Sequence, residues 1–441
     1  MKYKYSHYNV FSAEFNEKIL VFNTSKDRML LLSKKVFEKY IAKNIIPTDI
    51  NLLEKFIKGG VVVDENKDEI NSVLLENKQA VIKNKTLSLI IFPTANCQLG
   101  CVYCGQVHFP IKLNEKFYTD ITKKVTSLIA NKKHLNIGWF GGEPLLGIEI
   151  IEKLTPVFKK IAEKHNCTYG ASATTNALLL NKRNVISLLE NNVKDITISI
   201  DGTEGFHDER RPTKGGKGSF KVIMKNLKDL FAFVKNNKSS FSELMIRINV
   251  DKYNKEGVVP LLEQLKEIGC QGIVSEWDIA PIHSWGNDAD KRSLSEKEFA
   301  DFHMDVMIKL LEMGLIDKIS LPNRNKIVCQ AVINDSYYID PFGKVYDCSE
   351  YPLIRNSLSY SIGDVSEETT VLNEKRTFNN WYDQLKKYPC YECKLLPVCA
   401  GGCPKAWKEN YPACPTIHQN IDEYLVLSYL TLTKNISNEI I

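Results

Sequence analysis

Residues 87–93, Leu-Ser-Leu-Ile-Ile-Phe-Pro, run directly into residues 94–104, Thr-Ala-Asn-Cys-Gln-Leu-Gly-Cys-Val-Tyr-Cys. The first part is a short apolar run bounded by proline, the pattern of a strand buried on both faces. The second part is a loop with three thiols, Cys97, Cys101 and Cys104. A buried strand that delivers functional groups from its carboxyl end belongs to an open parallel sheet, where ligands gather at that end. The pattern recurs downstream. Strand-like runs at 135–140, 168–176, 195–200, 244–250 and 272–279 alternate with helix-like runs at 115–130, 148–164, 182–191, 220–235 and 255–268. Six strand–helix units imply a parallel sheet with crossover helices. They are too few to close a barrel of eight, so an open, partial barrel is expected. Gly141-Gly142-Glu143-Pro144, Thr175-Asn176 and Ser199-Ile200-Asp201-Gly202 fall at the same strand ends as the thiols.

With 441 residues the chain exceeds what one hydrophobic core usually organises, and two or three domains are expected. Residues 1–85 read as a small α+β unit. Strand-like runs at 5–12, 18–24, 29–33 and 61–63 accompany helix-like runs at 34–42, 51–58 and 68–85, which suits a winged-helix-like module. The unit holds no cysteine and no glycine-rich phosphate loop, so it is expected to bind rather than to catalyse. Residues 86–290 carry the strand–helix units, and 291–324 form a connecting segment with a helix at 293–313. Residues 325–420 are rich in Cys, Pro, Gly and Tyr, and an amphipathic helix at 422–433 lies in the last segment, 421–441. Lys and Arg outnumber Asp and Glu by only 58 to 53, a net +5 without a polybasic patch. Neither a membrane surface nor nucleic acid is therefore an expected partner. No apolar run approaches the roughly 18 residues of a membrane span, and the first ten residues lack a secretory signal. A cytoplasmic protein is expected.

Twelve cysteines are unevenly spread. One group is Cys97, Cys101 and Cys104; a second comprises Cys329, Cys348, Cys390, Cys393, Cys399, Cys403 and Cys414. Cys167 and Cys270 stand alone and read as packing residues. In a reducing compartment, clustered thiols point to metal rather than to disulfides. Three thiolates on one loop can ligate three irons of a [4Fe–4S] cluster and leave the fourth iron open to a substrate. A zinc site is the alternative, and its fourth ligand would be His108.

The spacing C-x3-C-x2-C, with Tyr103 before the last thiol, resembles the radical S-adenosylmethionine (radical SAM) superfamily. The resemblance extends through Gly141-Gly142-Glu143-Pro144, Thr175-Asn176, Ser199-Ile200-Asp201-Gly202, His207, Arg211 and Gly218-Ser219-Phe220, over about residues 86–415. It implies an α/β partial (β/α)6 barrel, in agreement with the six units counted above. It also implies that the open iron chelates the amino and carboxylate groups of S-adenosyl-L-methionine (SAM). The backbone of Gly141 and Gly142 and the Glu143 carboxylate would hold the methionine ammonium. Ser199 would contact ribose or carboxylate, Arg211 the carboxylate, and Tyr103 would lie near adenine. Asn176 and Asp201 either contact SAM or shape the sheet edge. An electron delivered by a donor such as flavodoxin or ferredoxin would cleave SAM to a 5′-deoxyadenosyl radical, which takes hydrogen from an unactivated carbon.

The second cysteine group resembles the seven-cysteine SPASM extension of such enzymes. Thirteen residues and then Gly343 follow Cys329, four more precede Cys348, and Cys390-x2-Cys393-x5-Cys399-x3-Cys403-x10-Cys414 follows. The resemblance implies two auxiliary [4Fe–4S] clusters, hence three in all. Cys329, Cys348 and Cys403 would share the first, and Cys390, Cys393, Cys399 and Cys414 the second. The first is one thiolate short, and a substrate thiolate, Asp335, Asp340 or another side chain would complete it. A winged-helix-like module ahead of such a core resembles the peptide-recognition element of ribosomal-peptide (RiPP) maturases, which adds a leader peptide to its sheet edge. The expected function is a peptide maturase that installs an intramolecular thioether, C–C or C–O crosslink in a ribosomally made precursor. The alternative enzyme is of the anaerobic sulfatase-maturing type, which makes formylglycine. In that family an aspartate directly after the G-x4-C cysteine is the base; here Ser349 and Glu350 follow Cys348, so that match fails by one position or more, and Glu350 is the candidate that could still deprotonate substrate. His283 and Trp285 are further candidates at the pocket mouth. From another class, an iron–sulfur electron carrier or a zinc-dependent peptide-binding scaffold would account for the cysteines, but it would need no methionine-binding Gly-Gly-Glu-Pro loop.

Overall fold

The computed structural model describes residues 2–238, 240–284, 287–411 and 413–438. Its amino-terminal unit contains β1 (Tyr3–Tyr5), β2 (Asn9–Phe11), β3 (Lys18–Asn23) and β4 (Arg28–Ser33). Helix α1 (Lys34–Val36) continues as a π-helical turn over Phe37–Ile41 and is followed by α2 (Ile50–Lys58), β5 (Val62–Asp64) and α3 (Glu69–Ile82). A short polar side chain starts each helix: Ser33, Asp49 and Asp68 accept from the N–H groups of Val36, Leu52 and Asn71. The strand expected over 5–12 is broken in two. β1 pairs antiparallel with β5, whereas β2 joins β3 and β4 in a separate antiparallel sheet. The physical cause is the buried Asn23 amide, which lies within hydrogen-bond distance of Ser6 Oγ, Asn9 Oδ1 and Gly60 O. Satisfying that amide bends the chain between the two strands.

The central sheet follows the expected alternation. β6 (Thr86–Ile91), β7 (His134–Trp139), β8 (Thr168–Thr175), β9 (Val193–Ser199), β10 (Glu243–Val250) and β11 (Glu276–Pro281) lie side by side in that order, all parallel. The helices between them are α4 (Lys116–Leu128), α5 (Ile148–Lys164), α6 (Lys182–Glu190), α7 (Glu204–Arg210), α8 (Phe220–Asn236) and α9 (Val258–Glu267). α7 was not anticipated: its seven polar-rich residues carry no apolar stripe. β11 starts at Glu276 rather than at 272, because Ile273 and Val274 donate to Cys270 O in a turn through Gly272, whose φ is +69°. Strand geometry then sorts side chains. On β10, Leu244, Ile246, Ile248 and Val250 are buried in the main core, while Met245, Arg247 and Asn249 take the other face.

The cysteine-rich region is not a detached domain. Its β12 (Ser336–Ile339) pairs parallel with β6, and β13 (Lys344–Tyr346) and β14 (Gly363–Asp364) extend the sheet to nine strands. The edge of β6 is thereby paired rather than left as an open row of N–H and C=O groups. Helix α10 (Glu296–Glu312), opened by a Ser295–Glu298 capping box, lies in the connecting segment. The last helix, Ile421–Asn438, buries Leu425 against Val10, Leu20, Phe22 and Leu395 and so joins both ends of the chain. Among the described residues no helix is long and apolar enough to cross a membrane.

Candidate functional site

A cavity of about 630 Å³ opens where the parallel strands end. The loop after β6 brings Cys97, Cys101 and Cys104 to it. Gly141, Gly142 and Glu143 follow β7, Thr175 and Asn176 close β8, and Ser199 closes β9. Arg247 and Asn249 project from β10 and Asp278 from β11, and Ser349 and Glu350 reach the same space from the cysteine-rich region. The sequence-derived candidates Tyr103 and Arg211 line it as well.

The three leading cysteines are free thiols, Cys97 buried and the others half-buried. The N–H of Leu99 lies 3.5 Å and Nδ2 of Asn176 3.6 Å from Cys97 Sγ. Burial pushes the Cys97 thiol up to about 11 and the Cys101 thiol up to about 12, and it also raises Cys104; Arg211 pulls each of the three down. Cys97 and Cys101 are each raised further by Cys104. The donor set suits a soft metal group, with amide donors and one guanidinium to balance thiolate charge and with protons to be released on loading. Among the described residues, no three His, Cys, Asp or Glu are drawn together as around one ion.

The Gly141-Gly142-Glu143 turn is packed directly against this loop. Gly141 has φ +117°, and a Cβ on Gly142 would meet Asn96 O at 2.2 Å. Glu143 N–H donates to that same carbonyl at 2.8 Å. Gly142→Ala is therefore expected to push Asn96 and Cys97 out of register. Iron analysis after reconstitution should show a loss confined to the leading site, with the fold retained by circular dichroism.

The Glu143 side chain is buried, and three donors of the chain hold it. Leu145 N–H and Thr175 Oγ1 donate to Oε1 at 3.0 and 2.7 Å, and Asn176 N–H donates to Oε2 at 2.8 Å. Burial raises its pKa, against the pull of these three bonds. The carboxylate thus ties the end of β7 to the end of β8 and keeps about one of its four acceptor positions. Asn176 is placed by it and turns its amide toward Cys97.

Asp201 anchors a second network. It is fully buried; Oδ2 accepts from the Tyr103 hydroxyl, and Oδ1 accepts from Asn249 N–H at 3.0 Å. Arg211 Nη1 and Arg210 Nη2 stand 3.7 and 3.8 Å from Oδ2. Burial opposes its charge, but Arg211 first and Arg210 next outweigh that and hold the carboxyl below its usual range. The Tyr103 hydroxyl also accepts from Arg211 Nη1 at 3.1 Å and from Asn249 Nδ2 at 3.2 Å. Arg211 Nε is buried without a partner. His207 is neutral: burial, then Arg211, brings its pKa down to about 4, and its Nδ1 accepts from Asp201 N–H. Nε2 of the ring therefore donates to Ser219 Oγ, which donates in turn to Arg211 O. The sequence signatures His207, Arg211 and Ser219 so form one scaffold around Asp201.

Arg247, Asn249 and Asp278 escaped sequence reasoning. Arg247 and Asp278 are neighbours in register across β10 and β11, and Nη1 lies 2.5 Å from Oδ2. Their signal was nevertheless present. A parallel strand buried on both faces should read as continuously apolar, and Glu-Leu-Met-Ile-Arg-Ile-Asn-Val alternates instead.

Charge interactions link the other cysteines in two sets. The Cys348 thiol is raised by burial and also by Cys329 and Cys403. Cys390 is raised by burial to about 12 and also by Cys399, Cys414 and Cys393. Glu350 stands between the first of these sets and the leading trio; its charge acts on Cys104, Cys348 and Cys403. Burial raises its own pKa, and Ser349 Oγ donates to Oε1 at 3.0 Å. Asp335 and Asp340 are engaged elsewhere. Asp335 pairs with Lys132, and Asp340 accepts from Phe342 N–H, Lys344 N–H and the Tyr346 hydroxyl. His283 lines the cavity and makes an edge contact with Tyr411, whereas Trp285 lies outside the described residues. His108 also lines it, its pKa lowered to about 4 by burial and by Lys214. Cys167 and Cys270 sit in the main core.

Residues 91–252 match the model of the radical SAM superfamily. The cysteine-type anaerobic sulfatase-maturating enzyme of Clostridium novyi is 27% identical over 348 residues, spanning 74% of this chain and 90% of its own. The radical SAM cyclopropyl synthase TigE of Paramaledivibacter caminithermalis is 25% identical over 424 residues, 84% of this chain and 83% of its own. Among solved structures, native anSMEcpe with bound AdoMet superposes with a TM-score of 0.61 at 21% identity, over 80% of this chain and all of that one. That likeness concerns the fold.

Proposed function

Because this chain carries a radical SAM domain, with SPASM-type maturases among its relatives, we propose that it is a peptide maturase that forms an intramolecular crosslink in a ribosomally made precursor. The observation that carries this reading is the shared cavity: Cys97, Cys101 and Cys104 line it together with Ser349 and Glu350, next to Cys348. Bound there, a [4Fe–4S] cluster and SAM supply one-electron cleavage of a carbon–sulfur bond and hence hydrogen-atom abstraction.

The chain's own residues do the rest. Cys97, Cys101 and Cys104 would hold the cluster, and the Gly141-Gly142 turn and Glu143 would frame the SAM amino group. Arg211, whose Nε has no partner, and Ser199 line the same cavity and would receive carboxylate or ribose. Tyr103, fixed through its hydroxyl, presents its ring as a wall for adenine, and Asn176 and Asp201 position these groups. Cys329, Cys348 and Cys403 would hold one auxiliary cluster, and Cys390, Cys393, Cys399 and Cys414 another. Glu350 would take the proton released as the substrate is oxidised, since a carboxyl raised by burial binds protons more readily. Flavodoxin or ferredoxin would supply electrons, and the amino-terminal module would seat the leader of the precursor. TigE, whose match reaches further along this chain than that of the sulfatase-maturating enzyme, supports a crosslink.

Coexpression with any short open reading frame found beside the gene, followed by mass spectrometry, tests the reading. A loss of two hydrogens with a fragmentation-resistant linkage is expected. A cysteine or serine converted to the aldehyde level in a sulfatase would instead establish formylglycine formation, the reading that the Clostridium novyi relative favours.

A further inference from the structure

The amino-terminal module grips the segment around Cys393 from three sides. His7 Nε2 lies 2.9 Å from Glu392 O, and Thr24 Oγ1 donates to Lys394 O at 2.6 Å. Arg324 bridges the two parts, donating to Asn77 Oδ1 of α3 at 2.6 Å and to Pro397 O at 2.8 Å. Apolar contacts fill the space between: Val10, Leu20 and Phe22 pack with Leu395, and Tyr8 shares a core with Cys390, Leu396 and Ala400. Tyr8 is completely buried, yet its hydroxyl has no hydrogen-bond partner. Burial, and then Glu69, raise its pKa, Arg324 lowers it, and Cys393 raises it more weakly. An unpaired buried hydroxyl costs about 1–3 kcal/mol, and one kept in a well-packed core calls for an acceptor.

We propose that this module is one wall of the site that Cys390, Cys393, Cys399 and Cys414 would form, and that the Tyr8 hydroxyl donates a hydrogen bond to the sulfur of the group bound there, on its Cys393 side. The inference rests on the reading that these four cysteines hold an iron–sulfur cluster. Tyr8 is then a positioning and tuning residue. A donor aimed at cluster sulfur favours the reduced, more negative state and raises the reduction potential. The module would thus be part of a redox centre as well as a peptide-binding unit.

The test compares the full-length parent with Tyr8→Phe, both carrying Cys97→Ala, Cys101→Ala and Cys104→Ala so that only the downstream cysteines bind iron. Iron is counted first: about eight per parent chain supports two downstream clusters, and an iron content that does not fall by about four when Cys390→Ala and Cys393→Ala are added removes the reading on which the inference rests. In the loaded chains, a redox titration followed by electron paramagnetic resonance should give two midpoint potentials. Tyr8→Phe is expected to move one of them to a more negative value and leave the other in place; two unchanged potentials at equal iron content would overturn the inference. A thermal comparison covers a variant that loads poorly. Tyr8→Phe should leave the Tm of the iron-free chain unchanged or raised, because it removes an unpaired hydroxyl, and should lower the Tm of the chain after reconstitution. Equal shifts in both forms would also overturn it.

Discussion

Glu350→Gln is expected to lower crosslinked product by about 10²–10⁴-fold, the range typical of a lost general base, while release of 5′-deoxyadenosine continues. The two readouts separate because the substitution keeps the shape of the side chain and the hydrogen bond from Ser349 Oγ, and removes only the capacity to take a proton. Glu350 lines the same cavity as the leading cysteines, and burial raises its pKa. Hydrogen abstraction upstream needs no base, so SAM would still be cleaved on each encounter. Liquid chromatography with mass detection of nucleoside and peptide in one reaction measures the ratio. Unchanged product would remove Glu350 from the mechanism; equal loss of both would assign it a structural role at the cysteines.

The largest stability effect is expected at Asp201. Removing its carboxylate with Asp201→Ala leaves Arg211 buried with its nearest anion gone, and it frees the Tyr103 hydroxyl and the Asn249 amide at the same time. Breaking one partner out of a buried ion pair costs about 3–5 kcal/mol. Arg210 suffers less, because Asp251 also pairs with it. Urea titration should show the unfolding free energy falling by an amount of that order, with a lower midpoint. Asp201→Asn, which retains the acceptor oxygen, should lose less. The charge matters in a defined window: the folded-state pKa lies below the ordinary value, so the stabilisation is present above the unfolded pKa and fades as pH falls through the folded one. A midpoint unchanged in Asp201→Ala would show that the arginines find other partners.

How far the sequence could be read depended on the range of the interaction. The strand ending in the thiol loop was legible because everything it needs lies within residues 87–104: an apolar run, a proline stop and three cysteines at fixed spacing. The same locality made the six strand–helix units and the helix start at Asp68 readable. Pairings between distant segments were not. Nothing near Ser336–Ile339 announces that this strand will lie parallel against β6 and carry the cysteine-rich region onto the sheet. The split of the first strand follows from Asn23, a polar residue whose burial only tertiary structure decides. Within the site, Glu143 and Asp201 were found by motif, as were Thr175, Asn176, Tyr103 and Arg211, but the hydrogen bonds that join them were not, nor were Asn249 and Asp278. Thr175, Asn249 and Asp278 acquire their roles from register across neighbouring strands. The N-terminal module was legible as a fold and illegible as a neighbour of Cys393, because the two hydrogen bonds that join them directly involve backbone carbonyls, which carry no sequence signature.

The account stands on one loop that would bind a metal group able to reduce SAM. Replacement of Cys97, Cys101 and Cys104 by alanine, followed by anaerobic reconstitution and incubation with SAM and dithionite, tests it most directly. Chromatography should detect no 5′-deoxyadenosine above the enzyme-free background, while iron bound by the downstream cysteines remains. Nucleoside formation at the parent rate by the triple variant would contradict the account.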